Sequence, residues 1–478
     1  MALATRRTKI VCTIGPATNT PERLAQLIEA GMDVARLNFS HGTHAEHAAV
    51  IAALRAASQQ LDRPIAILQD LQGPKIRTGE LRDHLAVELV DGAALTLTTR
   101  PVVGDATLLG TTYQDLPNDV RVGDRILLSD GLIELRVTAV NPPEITCQVV
   151  HGGTLAEHQG INLPGVAVSA PALTAKDRED LLFGVAQGVD YIALSFVRRP
   201  EDLSLARTAL AEAQGPQATP IPLIAKLEKP EAIERLDEVL TAADGVMVAR
   251  GDLGVELPLE QVPGLQKRII KAANRLRLPV ITATQMLESM ITHPRPTRAE
   301  VSDVANAILD GTDAVMLSAE TAVGRFPIET VRMMARIATE TEANSATAHP
   351  VTTEIVTAAQ AISEAARTLA DQAHVRYIVV FTRSGASAHF ISKERPSVPI
   401  IAFTPEASVA RQLGLWWGVT PLNAHLMETT EALITWVDLQ LQVQGLAQRG
   451  DFIVILGGMP VARLAKTNFI KLHRVGDA

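Results

Sequence analysis

The sequence predicts a (β/α)₈ barrel that carries an inserted all-β lid domain and is followed by a C-terminal open α/β domain. Three observations lead there. Eight short apolar runs of strand length alternate with helical stretches, with one interruption. That interruption, roughly Gly73 to Val168, is too long for a simple loop and switches to short alternating runs split by Gly-Asp turns. Polar residues collect at the ends of six of the eight runs, where barrel enzymes build their sites.

Taken in order, Lys9–Gly15 is expected as the first strand and Pro21–Gly31 as the first helix, with proline near its start. Val34–Ser40 and Ile65–Leu71 follow as strands two and three, with a helical stretch between. The insert contains runs such as Leu95-Thr-Leu-Thr and Arg125-Ile-Leu-Leu-Ser. It leaves from a strand's C-terminal end and so belongs over the barrel mouth, as a lid does. The alternation then resumes with strands Tyr191–Phe196, Leu223–Glu228, Gly245–Ala249, Val280–Thr284 and Ala314–Ser318, and helices such as Glu231–Leu240 and Arg298–Leu309. From about Ala343 a polar stretch leads to a third region, where Tyr377–Phe381, Ile400–Phe403 and Phe452–Leu456 read as strands between helices. The expected divisions are 1–72 and 169–342 for the barrel, 73–168 for the lid and 343–478 for the last, regulatory domain.

Composition narrows the function classes. The chain has 478 residues, 47% hydrophobic but only 3% aromatic, so its core must be built of Ala, Val, Leu and Ile, as parallel α/β layers are. A net charge of −9 with no long basic run argues against nucleic acid as a partner. No apolar run reaches membrane-spanning length, and the first residues lead into a strand without a signal-peptide core, so the protein is expected to be cytoplasmic, with no membrane partner. Cys12 and Cys147 both sit in strand-like runs and read as buried apolar residues of a reducing compartment.

The segment Ile221-Pro-Leu-Ile-Ala-Lys226-Leu-Glu228-Lys-Pro carries the most chemistry. Residues two apart on a strand face one side, so Lys226 and Glu228 point together out of an apolar setting where charge is costly. Arg36, Asn38 and Ser40 share a face of strand two, and Asp70 closes strand three. Asp252 follows strand six, Thr284 closes strand seven, and Ser318 and Glu320 close strand eight. Glu228 and Asp252 are hard oxygen ligands that suit Mg²⁺ or Mn²⁺ with positions left open for substrate oxygens; no His or Cys accompanies them to suggest zinc. Lys226 and Arg36 suit neutralisation of a transferring phosphoryl group. The turn Ala249-Arg250-Gly251-Asp252 offers backbone N–H groups for a substrate carboxylate. Thr284 suits protonation of an enolate carbon by relay from a water that Ser318 and Glu320 orient.

The same segment resembles the active-site signature of pyruvate kinase. The resemblance extends, in the family's order, through Thr8-Lys-Ile-Val-Cys-Thr-Ile-Gly-Pro16, Arg36-Leu-Asn-Phe-Ser-His-Gly42, Asp70-Leu-Gln-Gly-Pro-Lys-Ile-Arg77, Met247-Val-Ala-Arg-Gly-Asp-Leu-Gly254, Ile281-Thr-Ala-Thr-Gln-Met286, Pro296-Thr-Arg-Ala-Glu300 and Met316-Leu-Ser-Ala-Glu-Thr321. It is strong over about the first three-quarters of the chain and weak in the last quarter.

The resemblance implies the reaction of phosphoenolpyruvate with ADP to give pyruvate and ATP, and a homotetramer. It places catalytic and metal roles on Arg36, Lys226, Glu228, Asp252 and Thr284. It places nucleotide contacts on Asn38, His41, Arg77 and Lys176, and a monovalent-cation site on Asn38, Ser40, Asp70 and the Leu71 carbonyl. Family members that need potassium carry glutamate where this chain has Lys75. The sequence is therefore similar to the potassium-independent subgroup, with the Lys75 ammonium standing in for the cation near Asp70, Asn38 and Ser40; the rival reading is a solvated lysine at a hinge.

Thr382-Arg383-Ser384-Gly385-Ala-Ser387 follows a strand and precedes a helix, which suits an effector phosphate or a plain helix cap. Its position resembles the family's effector loop. The partner loop from Gly458 to Thr467 lacks the family's tryptophan pattern for a sugar bisphosphate and offers only Arg463 and Lys466 as cations, so a sugar monophosphate or nucleotide is expected. His41, His44 and His47 lack the acidic or thiol ligands of a metal site. Trp416-Trp417 reads as a core or subunit contact. A phosphoenolpyruvate-sensing barrel of weak activity, or a synthase or mutase, is the competing reading; Lys226, Asp252 and Thr284 weigh against the first, the lid and the Gly-Pro-Lys-Ile-Arg hinge against the second.

Overall fold

The computed structural model describes residues 6–216, 218–344, 357–461 and 465–477. Eight parallel strands close into a barrel: β1 (Lys9–Thr13), β2 (Val34–Asn38), β3 (Ala66–Asp70), β4 (Tyr191–Leu194), β5 (Leu223–Leu227), β6 (Gly245–Ala249), β7 (Val280–Ala283) and β8 (Ala314–Leu317). Each is shorter at its C-terminal end than its apolar run, except β6, because the last residues turn out of the ladder into the loops. The alternation sorts the side chains. Ile10, Cys12, Ala35, Leu37, Ile67, Ile192 and Leu223 pack outward against buried helix residues such as Leu24, Leu27 and Ile28. Val11, Val34, Leu68, Ala193, Ile224, Met247, Ile281 and Met316 belong to a second cluster and fill the interior. Continuing that inward register upward gives Arg36, Asn38, Asp70, Lys226 and Glu228.

Helix starts are written in threonine. Thr20 caps Pro21–Ala30, and Thr43, Thr174 and Thr297 form capping boxes with Glu46, Asp177 and Glu300. The helix expected over Glu231–Leu240 is instead two, Pro230–Glu234 and Leu236–Ala242, parted at Arg235 where the backbone leaves helical dihedrals.

The insert between β3 and β4 is a lid built on a six-stranded mixed sheet and a separate two-stranded ribbon, with its own core. It carries one helical turn, Leu116–Asp119, and its sheet is mixed because Ala94–Thr98 pairs in parallel with Leu108–Gly110. Its seam with the barrel is polar. The Arg198 guanidinium donates to the carbonyls of Val168 and Ala170, and Glu256 takes Lys229 at 2.5 Å and Asn162 at 3.4 Å.

The C-terminal domain has a five-stranded sheet: β9 (Tyr377–Phe381), β10 (Ile400–Thr404), β11 (Val419–Asn423), β12 (Phe452–Gly457) and β13 (Phe469–Arg474). Their spatial order is β11-β10-β9-β12-β13, with only the last pair antiparallel. The domain docks on the N-terminal face of the barrel, opposite the lid. Asp313 at the foot of β8 is fully buried and bridges Lys393 at 2.5 Å and Arg395 at 3.0 Å. Asp190 binds Arg411 at 2.8 Å, and Tyr191 donates to the Gln412 carbonyl. Trp416 stacks on His389 with centroids 3.8 Å apart, and Trp417 lies under Arg7 and Arg395, so the tryptophan pair is an interdomain core contact.

Candidate active site

The polar residues expected at the strand ends do converge at the C-terminal mouth of the barrel, beneath the lid. Arg36, only 9% exposed, sends Nε to Asp70 Oδ2 at 2.6 Å and an Nη to Thr13 Oγ1 at 3.0 Å. Lys226 has three acceptors for its three protons: Glu228 Oε1 at 2.8 Å, Asp70 Oδ1 at 3.2 Å and Ser195 Oγ at 2.8 Å. Burial alone would discharge this lysine, but Asp70 and Glu228 outweigh it and raise its pKa, so it is an ammonium. Asp70 is the complement: burial pushes its carboxyl up, and the Lys226 and Arg36 charges bring it below its ordinary value.

Glu228 is different. Its pKa is raised, first by burial and, against the pull of Lys226, by the nearby Asp252 carboxylate. Glu228 and the half-buried Asp252 thus repel one another, and a divalent cation between them would relieve that repulsion. Among the described residues no group of three or more His, Cys, Asp or Glu side chains converges on a metal-sized site. A metal held by this pair therefore draws its other ligands from substrate and water.

On the far wall, Thr284 has φ +71 and the next residue, Gln285, φ +53. Positive φ is a costly conformation for a β-branched residue, and such strain persists only when neighbours enforce it. Here Arg250 enforces it: its guanidinium donates to the Thr284 carbonyl at 2.6 Å and the Ala283 carbonyl at 3.2 Å, and pairs with Asp303 at 2.7 Å. The Gly251 N–H donates to Thr284 Oγ1 at 2.8 Å. That N–H is therefore engaged, which leaves less of the Ala249–Asp252 turn open to a substrate carboxylate than expected. Glu320 accepts from the Ser318 N–H at 2.7 Å and the Leu287 N–H at 3.1 Å, and burial raises its pKa. Thr284, Ser318, Glu320, Gly251 and Asp252 line one cleft of about 960 Å³ that also reaches the lid.

The nucleotide and cation candidates lie on the opposite rim. Asn38 Oδ1 accepts from the Ser40 N–H, and Ser40 stands past the end of β2 rather than on it. Lys176 donates to the Phe39 carbonyl at 2.8 Å and pairs with Asp180 at 2.6 Å. Arg77 reaches the His158 carbonyl of the lid. His41 is held below its ordinary pKa by burial and by Lys75, Arg77 and Arg36, so these four side chains form one basic neighbourhood. His44 pairs with Asp180 and stacks on Phe183, while His47 stacks on Phe39.

Lys75 departs from expectation. The sequence places it beside Asp70, Asn38 and Ser40, but the Asp70 carboxylate is taken by Arg36 and Lys226. Lys75 instead opens onto the cleft; enclosure there, then the Arg77 charge, lowers its pKa against the pull of Asp252 and Asp130. Residue 75 itself lies beyond the end of β3 at Asp70, in the segment that leads from barrel to lid.

In the C-terminal domain, Thr382 Oγ1 accepts from the Gly385 N–H at 2.9 Å, and Ser387 shares a hydrogen bond with Thr467 at 2.7 Å. Those hydroxyls are engaged, but neither caps helix Ala386–Lys393, whose N-cap is Gly385, while Ser384 and Lys466 are exposed. Arg383 lies 3.8 Å from Glu406. Arg463 lies outside the described residues.

Two residues of the site are not singled out by the sequence. Thr13 anchors Arg36, and Ser195 joins the Lys226 cluster. Thr13 ends β1 and Ser195 stands just past β4, the two strands to whose ends the sequence assigns no role. The signal was the same as at the other strands, a lone hydroxyl at the end of an apolar run.

Comparison with known proteins bears directly on this arrangement. Residues 5–331 match the family model described as pyruvate kinase, barrel domain, and residues 360–473 the one described as pyruvate kinase, alpha/beta domain. The chain is 46% identical to the pyruvate kinase of Mycobacterium intracellulare, covering 99% of each. It is 48% identical to that of Geobacillus stearothermophilus, covering 99% of this chain and 81% of the relative. A crystal structure of a pyruvate kinase from Cryptosporidium parvum superposes with a TM-score of 0.92 at 38% identity, covering 98% of this chain and 96% of that one.

Proposed function

The chain belongs to the pyruvate kinase family, and from that premise we propose which residues perform the transfer of a phosphoryl group from phosphoenolpyruvate to ADP. The observation that carries the reading is the Lys226 ammonium, locked between Asp70 and Glu228 at the floor of the cleft. In the transfer the bond from the enolate oxygen to phosphorus breaks, and one forms from a terminal β-phosphate oxygen of ADP. Charge spreads over the phosphoryl oxygens as this happens. Lys226 and Arg36 neutralise it, and because both are pre-oriented by buried partners they need little reorganisation.

Glu228 and Asp252 would hold Mg²⁺ or Mn²⁺, which would supply positive charge against the charge that develops during the transfer. The mutual repulsion of these two carboxylates supports that assignment. The Ala249-Arg250-Gly251-Asp252 turn receives the carboxylate of phosphoenolpyruvate through the N–H groups it keeps open. Asn38, His41, Arg77 and Lys176 receive the nucleotide; the shared basic neighbourhood of His41, Arg77 and Lys75 favours its phosphates.

Once the phosphoryl group has left, the enolate carbon takes a proton to give pyruvate. Thr284 relays it from a water oriented by Ser318 and Glu320. The strained backbone at Thr284 supports a role that demands one exact hydroxyl placement.

The finer readings are three. The chain works without potassium: Lys75 puts a tethered cation at the mouth, and in the Asn38, Ser40, Asp70 and Leu71 set the Asp70 carboxylate is already paired with Arg36 and Lys226. A phosphorylated metabolite regulates it from the loop of Thr382, Arg383, Ser384, Gly385 and Ser387 with Lys466 and Arg463. That loop leaves the end of β9, between β10 and β12, where the chain departs in opposite directions, and such switch points favour phosphate binding. It assembles as a homotetramer and acts in the cytoplasm; no helix among the described residues is long and apolar enough to cross a membrane.

A coupled assay of ADP-dependent pyruvate formation, with and without divalent metal, tests the whole. Turnover that needs metal and is lost in Glu228→Gln and Asp252→Asn supports it; pyruvate formation indifferent to both would overturn it. For the effector loop, titration with a sugar monophosphate and a nucleoside monophosphate should shift the phosphoenolpyruvate saturation curve, and phosphoenolpyruvate should change effector affinity reciprocally. No binding of either would leave the loop as a local turn into the following helix.

A further inference from the structure

Ser195 has none of the roles proposed for the other site residues, yet it touches the lysine at their centre. It stands just past the end of β4 and is only 2% exposed. Its Oγ lies 2.8 Å from Lys226 Nζ, 2.6 Å from the Leu71 carbonyl and 3.4 Å from Asp70 Oδ1. The hydrogen-bond directions follow from valence. The ammonium can only donate, so Ser195 accepts from it. The carbonyl can only accept, and at 2.6 Å it takes the one hydroxyl proton. The serine oxygen is thereby aimed at Lys226 by the main chain of Leu71.

The three acceptors around Lys226 are not equivalent. Asp70 is shared with Arg36, and Glu228 also accepts from the Phe196 N–H at 2.8 Å. Both are anions and draw the ammonium toward the floor of the site. Ser195 is the neutral acceptor, and its position is fixed by a backbone carbonyl rather than by charge. Without it the lysine has two anionic partners and nothing to hold its aim between them. The leftover Leu71 carbonyl would also lose a buried donor.

We propose that Ser195 is a positioning residue for phosphoryl transfer: its hydroxyl, aimed by the Leu71 carbonyl, holds the Lys226 ammonium in the direction of the transferring group. This rests on the reading of Lys226 as the neutralising cation. It also makes the main chain at Leu71, which leads into the lid hinge, a determinant of where that cation points. A change in the hinge that moves the Leu71 carbonyl swings the hydroxyl and therefore the ammonium.

The test is a double-mutant cycle of Ser195→Ala and Lys226→Met, scored on phosphoryl transfer per folded active site, with thermal unfolding as a control. In the otherwise native chain Ser195→Ala should lower kcat about ten- to a hundredfold, the span expected for one hydrogen bond to a charged group. KM for phosphoenolpyruvate should stay within about threefold, because the aim of the lysine matters chiefly in the transition state. In the Lys226→Met background the same change should cost less than about twofold, since nothing remains to be aimed. Ser195→Thr, which keeps the hydroxyl, should recover most of the loss. Should Ser195→Ala fail to fold, Ser195→Cys keeps the volume with a weak hydrogen bond and carries the same comparison. Equal losses in both backgrounds, or near-normal kcat in Ser195→Ala, would overturn the positioning role. Near-normal turnover in Lys226→Met alone would remove the lysine assignment instead.

Discussion

The Lys226 ammonium and the Glu228 carboxylate meet at 2.8 Å on one face of a strand end, in a corner where Glu228 is 2% exposed. A pair this buried is costly to desolvate and contributes little net stability. Its persistence points to chemistry rather than folding. The site also keeps a carboxylate, Asp252, whose charge opposes that of Glu228.

Lys226→Met should therefore be far more harmful to turnover than to binding. Removing a charge contact that strengthens in the transition state is expected to lower kcat on the order of a thousandfold or more, with a smaller change in KM for phosphoenolpyruvate. Steady-state kinetics on a variant shown by circular dichroism to be folded checks this. A folded Lys226→Met with near-normal kcat would mean the lysine is only an ion-pair partner.

Thr284→Ala should separate the two halves of the reaction. Protonation of the enolate can be followed as exchange of the methyl protons of pyruvate with solvent, and phosphoryl transfer as ATP formation. Exchange should fall by about a hundredfold, the usual contribution of a positioned acid–base group, and transfer by less. If exchange survives while transfer is lost, Thr284 serves the phosphoryl group and the proton reaches the enolate by another route.

Much of this was legible in the sequence because barrels encode function in register. The alternation that buries Val34 and Leu68 inside the barrel carries Arg36 and Asp70 to its mouth, so strand assignment located the site. What the sequence could not give was the partner of each group. The Ala249–Asp252 turn reads as a set of backbone N–H groups for a substrate, with no hint that the Arg250 guanidinium is spent on Asp303 and the Thr284 carbonyl, residues 53 and 34 positions away. Lys75 differs for a similar reason: its segment joins barrel to lid, but the Asp70 carboxylate expected beside it already has two cations. Ser195 carries only the weak signal of a lone hydroxyl past an apolar run, and nothing in the sequence names the lysine it meets. The interdomain ion cluster around Asp313 was also invisible, since Lys393 and Arg395 sit in a segment whose pattern is that of any amphipathic helix end.

His389 makes the interface between barrel and C-terminal domain sensitive to acid. It is stacked on Trp416, and burial, with Lys393 nearby, lowers its pKa to about 3 from 6.5. A folded-state pKa below the unfolded one means that the unfolded chain binds the proton more readily. The stability from this group is complete above pH 6.5 and drains away as pH falls through the window from 6.5 to about 3. His389→Phe, which preserves the stack and removes the titration, should flatten the acid side of the stability profile and gain roughly 2 kcal/mol at pH 5 relative to its effect at pH 8. Thermal unfolding of both proteins across pH 4–8 measures it. Parallel profiles would show that the imidazole takes up a proton as readily in the folded chain as in the unfolded one.

The potassium response is where Lys75 can be judged directly. Its ammonium stands in the cleft among Asp130, Asp252 and Arg77, at the seam where the lid meets the barrel. A charge tethered to the chain has no binding equilibrium. Activity should accordingly be nearly equal in potassium, sodium or a bulky tetraalkylammonium salt, provided ionic strength is matched so that screening is the same. Lys75→Glu reverses the local balance: a carboxylate joins Asp130 and Asp252, and Asp70 stays paired with Arg36 and Lys226. The variant should lose most of its activity in the tetraalkylammonium salt and regain part of it as potassium is titrated in, with half-activation at a definite concentration. Lys75→Met, which removes the charge without adding another, should fall between the two and respond weakly. An unsubstituted enzyme that stays inert until potassium is added would show that Lys75 is a solvated hinge residue and carries none of the cation's role.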